Sequence, residues 1–159
     1  MITIGPVPAD DEELGKLRQE LRADLTARYP ELGADSDDHL TDSIRFLLMR
    51  EDGAAIGCCA LQPNGGSGLV GLELKRMYVV PTARGTGAAN LLLRAAEELA
   101  RELGAAQIYL ETGDAQPEAI RFYERNGYTR IPIYPPYSES TRSVSYAKGL
   151  ADETDGGNG

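Results

Sequence analysis

The chain opens on an apolar-rich run, "MITIGPV", which Pro8 ends and Asp10-Asp11-Glu12-Glu13 follows. The run reads as a short strand. Acids in a first turn complement the helix dipole, so the pattern predicts a helix from about Asp10 to Arg28. The segment "YPELGADSDDHLTDS" has no period and is expected to be irregular, with room for one helical turn. Two further apolar runs, "IRFLLMRE" and "AAIGCCALQ", are split by Asp52-Gly53, a strong hairpin signal, and "NGGSG" makes the next turn. A long strand is then predicted from Leu69 to Val80. Its apolar parity changes: Leu72 and Leu74 lie on even positions, Met77 and Val79 on odd ones, with Lys75 and Arg76 between. A strand changes faces only through an extra residue, which predicts a β-bulge near Lys75 or Arg76, unless both faces are buried and parity carries no meaning.

After the bend "VVPTARGTGAANLLL", helical spacing of Leu92, Ala96, Leu99 and Leu103 predicts a helix stopped by Gly104, with Arg94, Glu97, Glu98 and Arg101 turned away. "AQIYLE" reads as a strand. A helix begins with Pro117 in its first turn and ends at Gly127. "YTRIPIY" and "SVSYAK" are two closing strands, joined by a proline- and tyrosine-rich loop. Residues 1–150 are expected to form one domain, and 151–159, "ADETDGGNG", a disordered tail.

Composition narrows the classes. No run of about 18 apolar residues occurs, and the first residues lack a basic start and an apolar stretch, so a soluble, cytoplasmic protein without membrane contact is expected. The two cysteines, Cys58 and Cys59, are adjacent in an apolar run and read as small buried hydrophobes rather than a vicinal disulfide or half a metal site. The single histidine, His39, excludes zinc sites built on several histidines; it reads as a solvated loop residue, and no metal is expected. Charge is uneven: six Lys/Arg against fourteen Asp/Glu in residues 1–74, eight against seven in 75–130, and two against four in 131–159. This balance argues against nucleic acid as a partner. Taken singly, Asp10 to Glu13 and Asp35 to Asp42 read as solvated helix starts and loops.

The bend carries the chemistry. A helix beginning at a glycine-rich turn presents unpaired N–H groups and about half a positive charge, which make an anion site. Gly85 and Gly87 allow close backbone approach to a phosphate, and Arg84 can add charge-assisted hydrogen bonds. A nucleotide-hydrolysing P-loop would need Gly-Lys-Ser/Thr, whereas Ala88-Ala89 follows Gly87. A dinucleotide fingerprint would need glycine in place of Asn90, although Glu111 stands about where a ribose-binding acid would. A nicotinamide-dependent oxidoreductase is therefore a weak rival.

A third pattern, Arg/Gln-x-x-Gly-x-Gly/Ala, is met by Arg84, Gly87 and Ala89. With it, the blocks "LELKRMYVV", "PTARGTGAANLLLRAAEELARELG", "AQIYLET" and "QPEAIRFYERNGY" resemble a GNAT-type N-acetyltransferase in order and spacing. The resemblance implies an α/β (α+β) acyl-CoA N-acyltransferase fold. In it, one mixed, mostly antiparallel sheet of six to seven twisted strands is flanked by about four helices, and the central strand is bulged and splayed. It implies acetyl-CoA as co-substrate, with its pyrophosphate on the amides of Arg84, Gly85, Thr86, Gly87, Ala88 and Ala89. The pantetheine arm would pair with the backbone of Met77, Tyr78 and Val79. Gln116 stands where many relatives have Asn contacting the cofactor, and its longer arm alters that contact.

Acetyl transfer to a primary amine needs a base, because such an amine has a pKa near 10.4 in water, and a donor for the leaving thiolate. Tyr123 occupies the family position of that donor; an ordinary amphipathic-helix aromatic is the plain alternative. Glu73, just before the expected bulge, is the first candidate base and Glu111 the second, each able to act through water; each also reads as a surface charge. The acidic first half suggests a cationic amine acceptor, with Tyr134 and Tyr137 as pocket residues or exposed loop tyrosines. A non-catalytic acyl-CoA-binding sensor is the rival of another class, and a homodimer is left open.

Overall fold

The computed structural model describes residues 1–32, 41–64 and 66–150. His39, Asp35 to Asp38, Gly65 of the "NGGSG" turn and the tail from Ala151 lie outside the described residues. Seven strands, β1 (Ile2–Val7), β2 (Arg45–Glu51), β3 (Ala54–Gln62), β4 (Leu72–Val79), β5 (Gln107–Gly113), β6 (Thr129–Ile131) and β7 (Ser143–Gly149), follow the hydrogen-bonded order β1-β2-β3-β4-β5-β7-β6. The sheet is mixed, because β4 and β5 run parallel while β1/β2, β2/β3, β5/β7 and β6/β7 are antiparallel. Three α-helices stand among the described residues, one fewer than expected: α1 (Glu12–Arg28), α2 (Ala88–Glu102) and α3 (Pro117–Arg125). Among the described residues of the segment after α1, Pro30–Leu32 form a 3-10 turn, and a second such turn covers Pro81–Ala83.

The chain divides into two compact units, Met1–Gln62 with Lys75–Ala96, and Pro63–Leu74 with the residues from Glu97 on. In the first, Asp11 caps α1 by accepting from the Leu14 N–H at 2.9 Å, and Glu12 and Glu13 occupy the first turn. Leu14, Leu17 and Leu21 recur at helical spacing and pack with Phe46, Leu48, Cys58, Ala60 and Tyr78. Burying each such leucine is worth about 1.5–3 kcal/mol. The β2/β3 hairpin turns at Asp52 (φ 51°) and Gly53 (φ 89°), the two left-handed residues of a type I′ turn. A register shift between Met49 and Arg50, with no signal in the sequence pattern, leaves Ile56 as the extra residue of β3.

The parity break in β4 is real, and Arg76 marks it with φ 57° in the middle of a strand. The alternative also holds in part, since Glu73, Leu74 and Lys75 are buried in succession. Cys58 Sγ donates to the Arg76 carbonyl at 3.6 Å, so the thiol serves the carbonyl displaced at the bulge. Both cysteines are free and buried. Burial pushes the Cys58 thiol up from its usual 9.0 to about 12 and raises Cys59 as well. Burial keeps the thiolate scarce, so iodoacetamide at pH 8 should leave both thiols intact in the native protein and alkylate both in denaturant. The unfolded chain loses these protons above about pH 9 while the fold keeps them. Stability should therefore fall as pH rises past that point, which alkaline urea titrations would measure.

In the second unit β4 contributes Leu72–Leu74, paired with Ile108–Leu110 of β5. Tyr109, Tyr134 and Ala147 form a core with Leu69, Ile131 and Tyr137 against it. The expected face of α2 needs correction. Its buried side chains are Ala88, Leu92, Leu93, Ala96, Glu97 and Ala100, while Leu103 is 45% exposed. Glu97, expected in solvent, is 5% exposed; it accepts from Tyr128 Oη at 2.8 Å and from Lys148 Nζ at 3.1 Å. Gly127 ends the α3 segment at φ 89°, as its position predicts.

Candidate active site

The anion-binding turn belongs to the first unit. Pro81 opens the 3-10 turn, whose Ala83 and Arg84 N–H groups donate to the carbonyls of Val80 (3.0 Å) and Pro81 (3.2 Å). Gly85 (φ 79°) and Gly87 (φ 90°) then turn left-handed. A Cβ at either would meet nothing within 4 Å, so glycine answers the backbone angle rather than a lack of space. Thr86 Oγ1 donates back to the Ala83 carbonyl. The N–H groups from Gly85 to Ala89 donate to no backbone carbonyl among the described residues, and α2 begins in this run. Such a row of free donors at a fifteen-residue helix start suits a phosphate. Arg84 does more than the sequence suggests: its Nε donates to the Val79 carbonyl at 2.9 Å and its guanidinium lies 5.5 Å from the Tyr78 ring centroid. It fastens the turn to β4. Tyr78 and Val79 are buried and Met77 is half-buried. Burial raises the Tyr78 hydroxyl above its usual pKa, with Arg84 acting the other way.

The second unit gathers both candidate carboxylates. Glu73, 1% exposed, stands opposite Tyr109 in the β4/β5 register. Its Oε2 accepts from Tyr134 Oη at 2.8 Å and its Oε1 from Asn64 Nδ2 at 3.2 Å. The same Asn64 nitrogen lies 3.3 Å from the Pro135 carbonyl, and Tyr109 Oη donates to the Asn64 carbonyl at 3.3 Å. Glu111, half-buried and opposite Ser145, accepts from Ser143 Oγ. Tyr134 is buried at 3% exposure, edge-on to Tyr109 (5.0 Å) and Tyr137 (5.5 Å). Burial first, then the Glu73 carboxylate and its hydrogen bond, then Tyr137 and Glu111, drive the Tyr134 hydroxyl far above its usual pKa. It stays a donor at every working pH. Tyr134 is therefore no exposed loop tyrosine, and Tyr137 is half-buried beside it.

Tyr123 is buried on α3, with its ring edge-on to Phe122 (5.3 Å) and Tyr128 (5.7 Å). Gln116 caps α3 from outside, and its Oε1 accepts from the Gly113 N–H at 3.3 Å, at the end of β5. Sequence reasoning named both carboxylates as candidates, read Asn64 only as part of a turn, and gave no bond from Tyr134 to Glu73. The alternation Tyr109, Glu111 in β5, on one face, was the available signal for the shared cluster.

Relatives place the fold in a class. A solved structure from Klebsiella pneumoniae described as an acyl-CoA N-acyltransferase superposes with a TM-score of 0.79 at 32% identity, covering 95% of this chain and 99% of that one. A GNAT family acetyltransferase from Elizabethkingia anophelis with acetyl-CoA bound shares the fold at 19% identity, with a TM-score of 0.67 over 94% of this chain and 98% of that one. The fold is that of the acyl-CoA N-acyltransferases. The profile of the Acetyltransferase (GNAT) family matches residues 14–128, and the chain belongs to that family. An IAA acetyltransferase from Azospirillum brasilense is 34% identical over 158 residues, 94% of this chain and 98% of that protein. The chain is thus an acetyltransferase by descent. Among the described residues no group of three His, Cys, Asp or Glu is placed to hold a metal ion, and no helix is long and apolar enough to cross a membrane.

Proposed function

We propose that the chain moves the acetyl group of acetyl-CoA onto a primary amine of a cationic small molecule or peptide, by direct attack in a ternary complex. The observation that carries this reading is the buried carboxylate of Glu73, fixed by Tyr134 and Asn64. A buried, oriented carboxylate can take a proton from an ammonium directly or through one water, which an exposed one does poorly. The diphosphate of the donor rests on the free amides from Gly85 to Ala89, and the pantetheine pairs with the backbone of Met77 to Val79. Gln116 lends its amide to the donor from the start of α3.

The chemistry then balances. The amine, having lost one proton to Glu73, attacks the thioester carbonyl carbon; the C–S bond breaks as the C–N bond forms, the acylated nitrogen gives its second proton to solvent, and Glu73 releases the first there before the next turnover. Tyr123 gives its proton to the leaving thiolate and recovers one from solvent. Glu111 adds negative potential that favours a cationic acceptor.

Thiol release from acetyl-CoA over a panel of acceptors tests the reading. The panel holds polyamines, amino-acid amides, aminoglycosides, neutral amines and anionic acceptors, with IAA included because the Azospirillum relative carries it in its name. Cationic amines should give the highest kcat/KM. Turnover confined to neutral or anionic acceptors would reject the acceptor assignment. Donor binding without thiol release from any acceptor would turn the reading into that of a binding sensor.

A further inference from the structure

We propose that Tyr134 is a positioning residue for acetyl transfer: its hydroxyl holds the Glu73 carboxylate in the charged form and the single orientation from which it accepts the amine proton. The inference rests on Glu73 being the base, and goes beyond it by assigning that base a keeper from a distant loop.

The geometry points to a two-handed grip. Tyr134 Oη reaches one carboxylate oxygen at 2.8 Å, and Asn64 Nδ2 reaches the other at 3.2 Å while lying 3.3 Å from the carbonyl of Pro135, the neighbour of Tyr134. Both oxygens of Glu73 are thus read, one directly and one through Asn64, by two consecutive residues of the segment between β6 and β7. The Tyr134 ring cannot swing freely, because Tyr109 and Tyr137 meet it edge-on. Donors to both oxygens favour the ionised carboxylate and fix its rotamer, and that is what a base must have before substrate arrives. The titratable groups facing this pair are Tyr109 across the β4/β5 register, Tyr137 beside the ring and Glu111, whose charge reaches the Tyr134 hydroxyl.

A purely structural tyrosine would act through its ring, and phenylalanine keeps the ring. The test is the pH dependence of kcat/KM for the native protein, Tyr134→Phe, Glu73→Gln and the double variant, with melting temperatures alongside. Tyr134→Phe should move the acidic limb up by about one pH unit, since one hydrogen bond to a charged group is lost. It should lower kcat about tenfold at neutral pH and leave the KM for acetyl-CoA within about twofold. The double variant should be no slower than Glu73→Gln alone, because the hydroxyl acts through that carboxylate. Asn64→Ser, which removes the second donor, should shift the limb in the same direction and decides the matter if Tyr134→Phe fails to fold. An unmoved limb in Tyr134→Phe, with the limb abolished in Glu73→Gln, would overturn the positioning role alone. A limb that survives Glu73→Gln would overturn the base assignment and this inference with it.

Discussion

Glu73→Gln should lower kcat about 10²- to 10³-fold at neutral pH and erase the acidic limb of the rate profile. General-base removal typically costs this much, about 3–4 kcal/mol in the barrier. The amide is nearly isosteric, so shape is kept and the loss reports proton transfer. Its fit is imperfect in one respect. The glutamine oxygen can still accept from Tyr134, but its NH2 then faces Asn64 Nδ2, itself a donor already lying near the Pro135 carbonyl. That mismatch should cost about 1 kcal/mol of stability. Thiol-release kinetics from pH 5 to 9, with thermal melts of both proteins, check the two numbers separately. A rate within a few-fold of the native protein would remove Glu73 from the chemistry.

Gly71→Ala should destabilise the fold by about 3 kcal/mol. Gly71 sits at φ 106°, outside the region open to alanine, and a Cβ there would stand 2.2 Å from the Gln107 carbonyl oxygen and 2.9 Å from its Cγ. The carbonyl has little freedom to retreat. Gln107 opens β5 opposite Gly149, and its own side chain donates to the Val70 carbonyl at 2.8 Å. For a chain of 159 residues this corresponds to a fall in Tm of roughly 10 °C. Gly68→Ala is the comparison: φ is 74° there but nothing lies within 4 Å of the added carbon, so only the backbone term of about 1 kcal/mol applies. Equal melting temperatures for the two variants would contradict the close approach at Gln107. Because Gly71 lies two residues before Glu73, the damaged protein should also lose kcat.

What the sequence could disclose followed from how local each signal was. The Asp52-Gly53 turn, the acidic start of α1 and the start of α3 at Pro117 depend on neighbouring residues and were legible. The parity of Leu72, Leu74, Met77 and Val79 pointed to an irregularity near Lys75 or Arg76, where Arg76 takes φ 57°, although the burial of Glu73, Leu74 and Lys75 in succession weakens parity as a signal there. The face of α2 was misread by a narrow margin. Leu99 and Leu103 fit the period, yet Leu93 and Ala100 on the adjacent stripe are buried in their place, since helical spacing fixes a stripe only to within one residue. At the site, the residue types were legible and their company was not. Tyr134 lies 61 positions from Glu73, and nothing short of the folded strand order brings them together.

The burial of Glu97 limits how this chain can change. Its carboxylate is enclosed with Tyr128 and Lys148, which come from the end of the α3 segment and from β7. Exchanging Glu97 for leucine alone would leave an ammonium that water still reaches, whereas exchanging Lys148 alone would leave a buried anion with Tyr128 as its remaining hydrogen-bond donor of the pair. The order of change is therefore fixed: the carboxylate can be given up before the lysine, and a descendant that lost the lysine first would carry the heavier cost.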